Sequence, residues 1–590
     1  MRILFILLLV PFLGFSQINT YNISFEDAVH HEANIRVTFP DLDSDKLSVR
    51  MSRTSPGRYA LHEFAKNVYG VTATSGKGDT LEISRPDPYS WEIAGHDGTV
   101  NLEYTLFANR ADGTYSQIDE SHAHLNIPAT FMYAETLQDR PVEVTFDTRQ
   151  FPKWRVATQL KHEHGNTYSA PNLYYFMDSP TEVSDHELRE FELDGQTINF
   201  SLHGPTTKEE FDEYFEKVKS IVGQQKAVYG ELPKFDFGEY IFIACYLPHA
   251  SGDGMEHRNS TILTSSRPLG EGGMERNIGT VAHEFFHAWN VERIRPQDLK
   301  PFDFTEANMS GLLWFAEGFT SYYTPLTLVR GGIITSEAYA EGLNGTFNYV
   351  WNSPGREYFN PIEMSYQAPF VDAATSVDPV NRENTFISYY SYGSMLGLAL
   401  DLQLRQKGQN LDDFMKLIWK EYGKQEKPYT LQSLDSSLAQ YAGKDFAREY
   451  FSKYIYDSKM PDYEGLFKTV GIKIERTSEN PFFGATVRKT EEGFVITGNP
   501  RKNTPAYKAR LAEGDKIISV NGTNLDSDDS WEDEFAKHKA GDILNLEIER
   551  FGKNMKRSVK LEKDPAYTIS IDDNAGKKAV KARKEWLEAK

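Results

Sequence analysis

His283-Glu284-Phe285-Phe286-His287 sets two imidazoles four residues apart with a carboxylate between them. On a helix this spacing puts both rings on one face, one turn apart, close enough to share a metal ion. Glu284 can then reach a water on that ion and take its proton. The flanking residues read as such a helix. At about 100° per residue, Ile278, Val281, Ala282, Phe285, Phe286 and Trp289 fall within one apolar arc of about 140°. His283 and His287 project from the far side, so the helix can bury one face and offer the other to a cation.

H-E-x-x-H is short, and a chain with 15 histidines can contain it by accident. A histidine on a core helix also needs no metal. The context argues otherwise. Leu313-Trp314-Phe315-Ala316-Glu317-Gly318-Phe319-Thr320 is an apolar helix interrupted by one carboxylate. Buried charges are paired or bound to metal. A catalytic zinc site wants two imidazoles, one carboxylate and an open position. Glu317 is therefore the expected third ligand, while Glu292, Asp298 and Glu306 lie in polar, loop-like sequence. Asn290 and Arg293 stand where the metzincin pattern requires glycine and a third histidine, which excludes that pattern. The expected load is one zinc per chain.

HEFFHAWNVERIRP, from His283 to Pro296, followed by LWFAEGFTSYY, resembles the glycyl aminopeptidase family of zinc metallopeptidases. The resemblance covers nearly the whole mature chain. It implies a thermolysin-like catalytic domain with a C-terminal PDZ domain. It also implies peptide substrates with a free N-terminus and a small first residue, glycine or alanine. Gly254-Met255-Glu256 resembles the edge-strand motif of zinc aminopeptidases, in which the glutamate binds the substrate's amino group. A carboxylate fixed beside the zinc would pair with that ammonium and measure the distance to the scissile bond. Tyr389-Tyr390-Ser391-Tyr392-Gly393 resembles the segment supplying an oxyanion-stabilising tyrosine, with Tyr390 the expected donor and Tyr389 its competitor.

A chain of 590 residues is too long for one core. Its net charge, 64 − 85 = −21, argues against nucleic acid and anionic membrane as partners. Residues 1–16, MRILFILLLVPFLGFS, read as a secretory signal: Arg2, an apolar run from Ile3 to Leu13, and the small-x-small site Gly14-Phe15-Ser16. The run is too short to span a bilayer comfortably, and no integral membrane segment is expected in the mature chain. Cys245 is the single cysteine and cannot form an internal disulfide. These features suggest a bacterial protein exported to the periplasm or medium.

Short alternating runs over 17–165, such as Ala33 to Phe39 and Val100 to Leu106, predict an N-terminal β-sandwich. Met51 to Tyr59 is turn-rich and carries no evident chemistry. His30-His31 and His122-x-His124 read as exposed polar residues, since no carboxylate or cysteine framework surrounds them in sequence. Residues 166–464 predict the mainly helical peptidase domain, with a helix from Lys208 to Val222 and buried strands at Tyr240 to Leu247 and Thr261 to Thr264. The expected architecture is thus multidomain α+β. Residues 465–565 resemble a PDZ domain: Pro481-Phe482-Phe483-Gly484-Ala485, then Glu513-Gly514-Asp515 and a hairpin signal at Asn521-Gly522. Such a groove takes a C-terminal peptide as an added strand, its carboxylate on backbone N–H groups near Phe483-Gly484. That domain is expected to be dispensable for short substrates, and 566–590 to be a tail, either a short helix docking Trp586 and Leu587 or a frayed charged terminus.

Two other functions share these features. If Glu256 does not face the zinc, the site suits an endopeptidase. A periplasmic binding or chaperone-like protein dominated by PDZ recognition would leave the zinc site inactive, and the intact Glu284 argues against that.

Overall fold

The structure is a computed structural model and describes residues 17–371, 378, 380–476, 478–525 and 531–590. The expected signal segment, 1–16, lies outside the described residues.

Alternating sequence becomes alternating burial in the N-terminal part: Val100–Phe107 buries every second residue. It lies in a seven-stranded sheet in which Asn19–Ser24 pairs parallel with Val142–Asp147 and antiparallel with Glu32–Phe39. A four-stranded and a three-stranded sheet share its core, built around Ile23, Ile35, Leu102, Ile93, Phe131 and Phe176. The expected boundary at 165 is corrected to about residue 185. Gly165 sits in the turn of a hairpin between Lys161–His164 and Thr167–Ala170, and Thr181–Ser184 pairs with His122–Leu125. The alternation fades there because Thr181–Ser184 is buried on both faces and a short helix, Leu173–Met177, intervenes.

The catalytic part opens on a five-stranded sheet in the order Glu187–Leu193, Gln196–His203, Glu239–Tyr246, Ser260–Ser265, Asp253–His257. Its three inner strands are parallel, and Asp253–His257 is the antiparallel edge. The central strand is flanked and covered, so it reads as an unbroken apolar run. Three helices matter for chemistry: the motif helix Gly273–Phe286, the carboxylate helix Leu313–Arg330 and the tyrosine helix Tyr389–Gln406. The last two touch backbone to backbone. A Cβ on Gly318 would lie 2.3 Å from the Gly393 Cα, and one on Gly393 would lie 1.9 Å from the Trp314 carbonyl oxygen. Only glycine at both positions permits this approach, which brings Glu317 beside the Tyr389-Tyr390 pair.

The expected boundary at 465 is also corrected. Leu466, Phe467, Val470 and Ile472 belong to the catalytic core. Ile472–Glu475 pairs antiparallel with Thr568–Ile571, and the PDZ sheet, with its own core around Ile496, Ile517, Leu546 and Ile548, is inserted between these two strands. Nor is 566–590 a loose tail. Its helix, Lys577–Leu587, places a fully buried Trp586 in the catalytic core. The indole Nε1–H donates to Tyr322 Oη at 3.0 Å, and Arg330 Nε donates to the Trp586 carbonyl at 3.1 Å. Of the two readings of this segment, the structure shows the docked helix, which buries Trp586 and Leu587 alone. Among the described residues no helix is long and apolar enough to cross a membrane.

A cut before residue 465 therefore removes core residues and should yield an aggregating protein. The PDZ domain is instead removable internally: Glu475 and Thr568 are paired, so joining the chain across 478–565 by a short turn should leave the urea midpoint close to that of the full chain. Trp586→Ala should cost about 3–5 kcal/mol in the same measurement. An unchanged midpoint in that variant would show that the terminal helix does not dock in solution.

Candidate active site

The motif helix ends at His287, its C-cap, one turn after His283. The two Nε2 atoms converge on one oxygen of Glu317, Oε2, at 3.5 Å from His283 and 3.2 Å from His287. With metal–ligand bonds of about 2.1 Å, ligand atoms around a tetrahedral ion stand roughly 3.4 Å apart. Glu317 Oε2 is buried and makes no aligned hydrogen bond. An oxygen and two nitrogens arranged around a common centre without bonding one another fit a shared cation. The far side of each ligand is held. His287 Nδ1 donates to the Asn290 carbonyl at 2.5 Å, and His283 Nδ1 lies 3.3 Å from Thr324 Oγ1. Tyr59 Oη donates to Glu317 Oε1 at 2.6 Å. Such outer partners fix ligand orientation.

The local charge balance follows from burial. Burial alone would raise the Glu317 carboxyl, but the two imidazoles hold it well below the usual range. Burial would lower His287, yet Glu317 and Glu256 push it up to about 10. Burial lowers His283. An ion bound here takes the place of these protons.

Glu284 and Glu256 share a second face of the site. Oxygens of both lie within 4.8 Å of a His287 nitrogen and of one another. Both are 5% exposed, and Glu284 Oε2 has no hydrogen-bond partner among the described residues. Burial raises Glu284 well above the carboxylate range against the pull of His287, and raises Glu256 to about 7. The edge strand comes this close because residue 254 is glycine: a Cβ there would sit 2.2 Å from Glu284 Oε1. Met255, with 1% exposure, anchors the strand inward. An Arg58–Asp253 ion pair ties the start of the strand to the N-terminal domain, and Asp253 also accepts from the Gly113 N–H at 2.9 Å.

Tyr390 is half-buried, with its ring 5.8 Å from that of His283. Tyr389 is buried and packs edge-on against Tyr59 at 6.3 Å. The other carboxylates weighed as ligands stand apart. Glu292 pairs with Arg295 at 3.0 Å, Asp298 accepts from Ser310, and Glu306 is exposed. In the PDZ domain Phe483 is a core residue, 5.0 Å from Trp531, and its carbonyl accepts from Ala506 N–H. Gly484 turns the chain with φ +85°.

Sequence reasoning missed Tyr59, Thr324 and the role of Asn290. Nothing in a Ser-Pro-Gly-Arg-Tyr turn marks its tyrosine as a partner of a carboxylate 258 positions away. It also misplaced His122 and His124, which are buried at 0% and 1% exposure, because Glu182 and Cys245 approach them only in the fold.

Comparison with known families matches residues 20–185 to the peptidase M61 N-terminal domain, 276–396 to the M61 glycyl aminopeptidase domain and 481–561 to a PDZ domain. No curated protein matches the chain significantly. Among solved structures, an aminopeptidase N family protein from Idiomarina loihiensis shares the fold at TM-score 0.86 and 23% identity, over 96% of this chain and 100% of that one. An M1 zinc metallopeptidase from Deinococcus radiodurans is more distant, at TM-score 0.43 and 12% identity over 76% of this chain and 95% of that one. The matched domains run from the N-terminal β-domain through the helical domain to the PDZ domain, and both peptidase matches are to one family, the M61 glycyl aminopeptidases.

Proposed function

We infer that the protein is an exported aminopeptidase that removes glycine and alanine from peptide N-termini, with one zinc ion held by His283, His287 and Glu317. Glu256 carries this reading. It is a buried carboxylate on the sheet edge, beside Glu284 and His287, and among the described residues no lysine or arginine pairs with it. A substrate ammonium is the complement such a group needs. The adjoining cavity, lined in part by Gly57, Tyr59, Tyr174 and Val291, measures ≈ 20 Å³.

When bound, zinc supplies a Lewis acid that polarises the scissile carbonyl and acidifies water. Glu284 accepts the proton of the attacking water and returns it to the leaving amine. Tyr390 donates its hydroxyl to the developing oxyanion. Glu256, with Gly254 and Met255 setting its strand, holds the substrate ammonium and fixes the bond to be cut as the first peptide bond. The basic, then apolar, leader supports export to the periplasm or medium. The PDZ domain receives a peptide C-terminus on backbone N–H groups near Phe483-Gly484.

Glu284→Gln should retain zinc and fold but lose turnover, since an amide cannot accept the proton. Tyr390→Phe should lower kcat by about 10²–10³, the scale of one lost oxyanion donor; full activity would remove Tyr390 from the mechanism.

Tyr59→Phe should weaken zinc binding by about 10- to 100-fold in competition with a chelator. Unchanged affinity would leave Tyr59 a packing residue only.

Loss of a charge-assisted contact at Glu256→Ala, worth about 1.5–3 kcal/mol, should lower kcat/KM by roughly 10- to 150-fold on a free peptide. Its N-acetylated form should be a poor substrate for wild type and no worse for the variant. Equal cleavage of both peptides by wild type would replace the aminopeptidase by an endopeptidase on the same zinc.

A further inference from the structure

His122 lies on the strand His122–Leu125 of the N-terminal domain, whose neighbour Thr181–Ser184 carries Glu182. The central catalytic strand, Glu239–Tyr246, brings Cys245 against the same point. His122 Nδ1 stands 3.1 Å from Glu182 Oε1 and 3.9 Å from Cys245 Sγ. Ligand atoms of all three lie within 4.8 Å of one another, and all three side chains are fully buried.

We propose that His122, Glu182 and Cys245 form a second metal site, for a divalent ion of the zinc class, at the seam between the N-terminal domain and the catalytic sheet. Imidazole, carboxylate and thiolate together are donors for such an ion. Bonds of about 2.0–2.3 Å put tetrahedral edges at roughly 3.4 Å for N to O and 3.6 Å for N to S, within about 0.3 Å of the separations found. The outer faces of the ligands are braced. Asp119 Oδ2 is 3.5 Å from His122 Nε2. His124 Nδ1 bonds Glu182 Oε2 at 3.1 Å, while its Nε2 bonds the Asp112 carbonyl at 3.0 Å. A carboxylate behind a ligating imidazole, and a hydrogen bond on the far oxygen of a ligating carboxylate, are what orient metal ligands. The buried Nε2 of His203, whose ring stacks on that of His122 at 4.7 Å, makes no aligned hydrogen bond among the described residues. Asp119 in turn lies 3.9 Å from the half-exposed His249.

The competing arrangement is metal-free, with a protonated His122 between Glu182 and Asp119 and Cys245 left as a thiol. The two differ at sulfur, because metal binding takes the thiol proton. Cys245 is the chain's sole cysteine, and the zinc ligands proposed above include none. A sulfur–metal signal can therefore come only from this seam.

The experiment titrates metal-free, full-length protein with Co²⁺ and follows thiolate-to-cobalt charge-transfer absorption. The band should saturate by two equivalents in wild type, at one equivalent in the His283→Ala/His287→Ala protein, and vanish in Cys245→Ala. Zn²⁺ should bleach it, and Asp119→Asn should weaken cobalt binding there by about 10- to 100-fold. The wild-type spectrum decides even if a variant misfolds. No thiolate band in wild type overturns the proposal, whatever cobalt binds at His283 and His287.

Discussion

A carboxylate buried to 2% exposure organises this molecule. Removing Glu317 from water costs several kcal/mol unless its charge is met on all sides. Two imidazoles from the motif helix meet one oxygen, and Tyr59 from the N-terminal domain meets the other. Burial, and after it Glu317, holds the Tyr59 hydroxyl well above the phenol range, so it remains a donor. Neither domain alone completes this arrangement. The N-terminal β-domain is therefore part of the site's construction and not merely attached to it.

Glycine makes the approach of charged groups affordable in space. Gly318 follows Glu317 directly, and Gly393 lies three residues after Tyr390; their contact sets the spacing of the carboxylate and tyrosine helices. Gly254 does the same for the edge strand, which without a side chain there lies against Glu284. At each position the missing Cβ, not backbone freedom, is what matters. A close-packed interior has no slack to absorb even one methyl group at such contacts.

The helix periodicity around His283 and His287, the lone carboxylate in an apolar helix and the alternating N-terminal strands were all legible in the sequence, because each is a local pattern with a fixed period. What escaped was long-range. Tyr59 reaches Glu317 from a turn without periodicity. His122 and His124 look solvated until Glu182 and Cys245 arrive from two other strands. Docking of Trp586 was legible as one of two readings, but its place was not: it follows the PDZ domain in sequence yet belongs to the core that precedes it. Local signals mark what an element is; they carry little about which distant segment closes over it.

The carboxylate helix shows why those distant segments matter. Near its start, Glu317 is held from residue 59; near its end, Arg330 Nε bonds the Trp586 carbonyl and the guanidinium pairs with Asp412 at 3.0 Å. Between them Tyr322 accepts from the Trp586 indole and donates to Asp401 at 2.6 Å, and Tyr323 donates to Asp412 at 3.0 Å. A helix fixed at both ends by opposite termini of the chain cannot slide or rotate without breaking buried polar contacts at one of them. That rigidity is transmitted to Glu317, whose proposed role as a metal ligand requires its oxygen to stay within a fraction of an ångström of its place. The terminal helix thus acts on the site through the frame, at a distance, while the PDZ domain hangs from a strand pair that the frame has already closed.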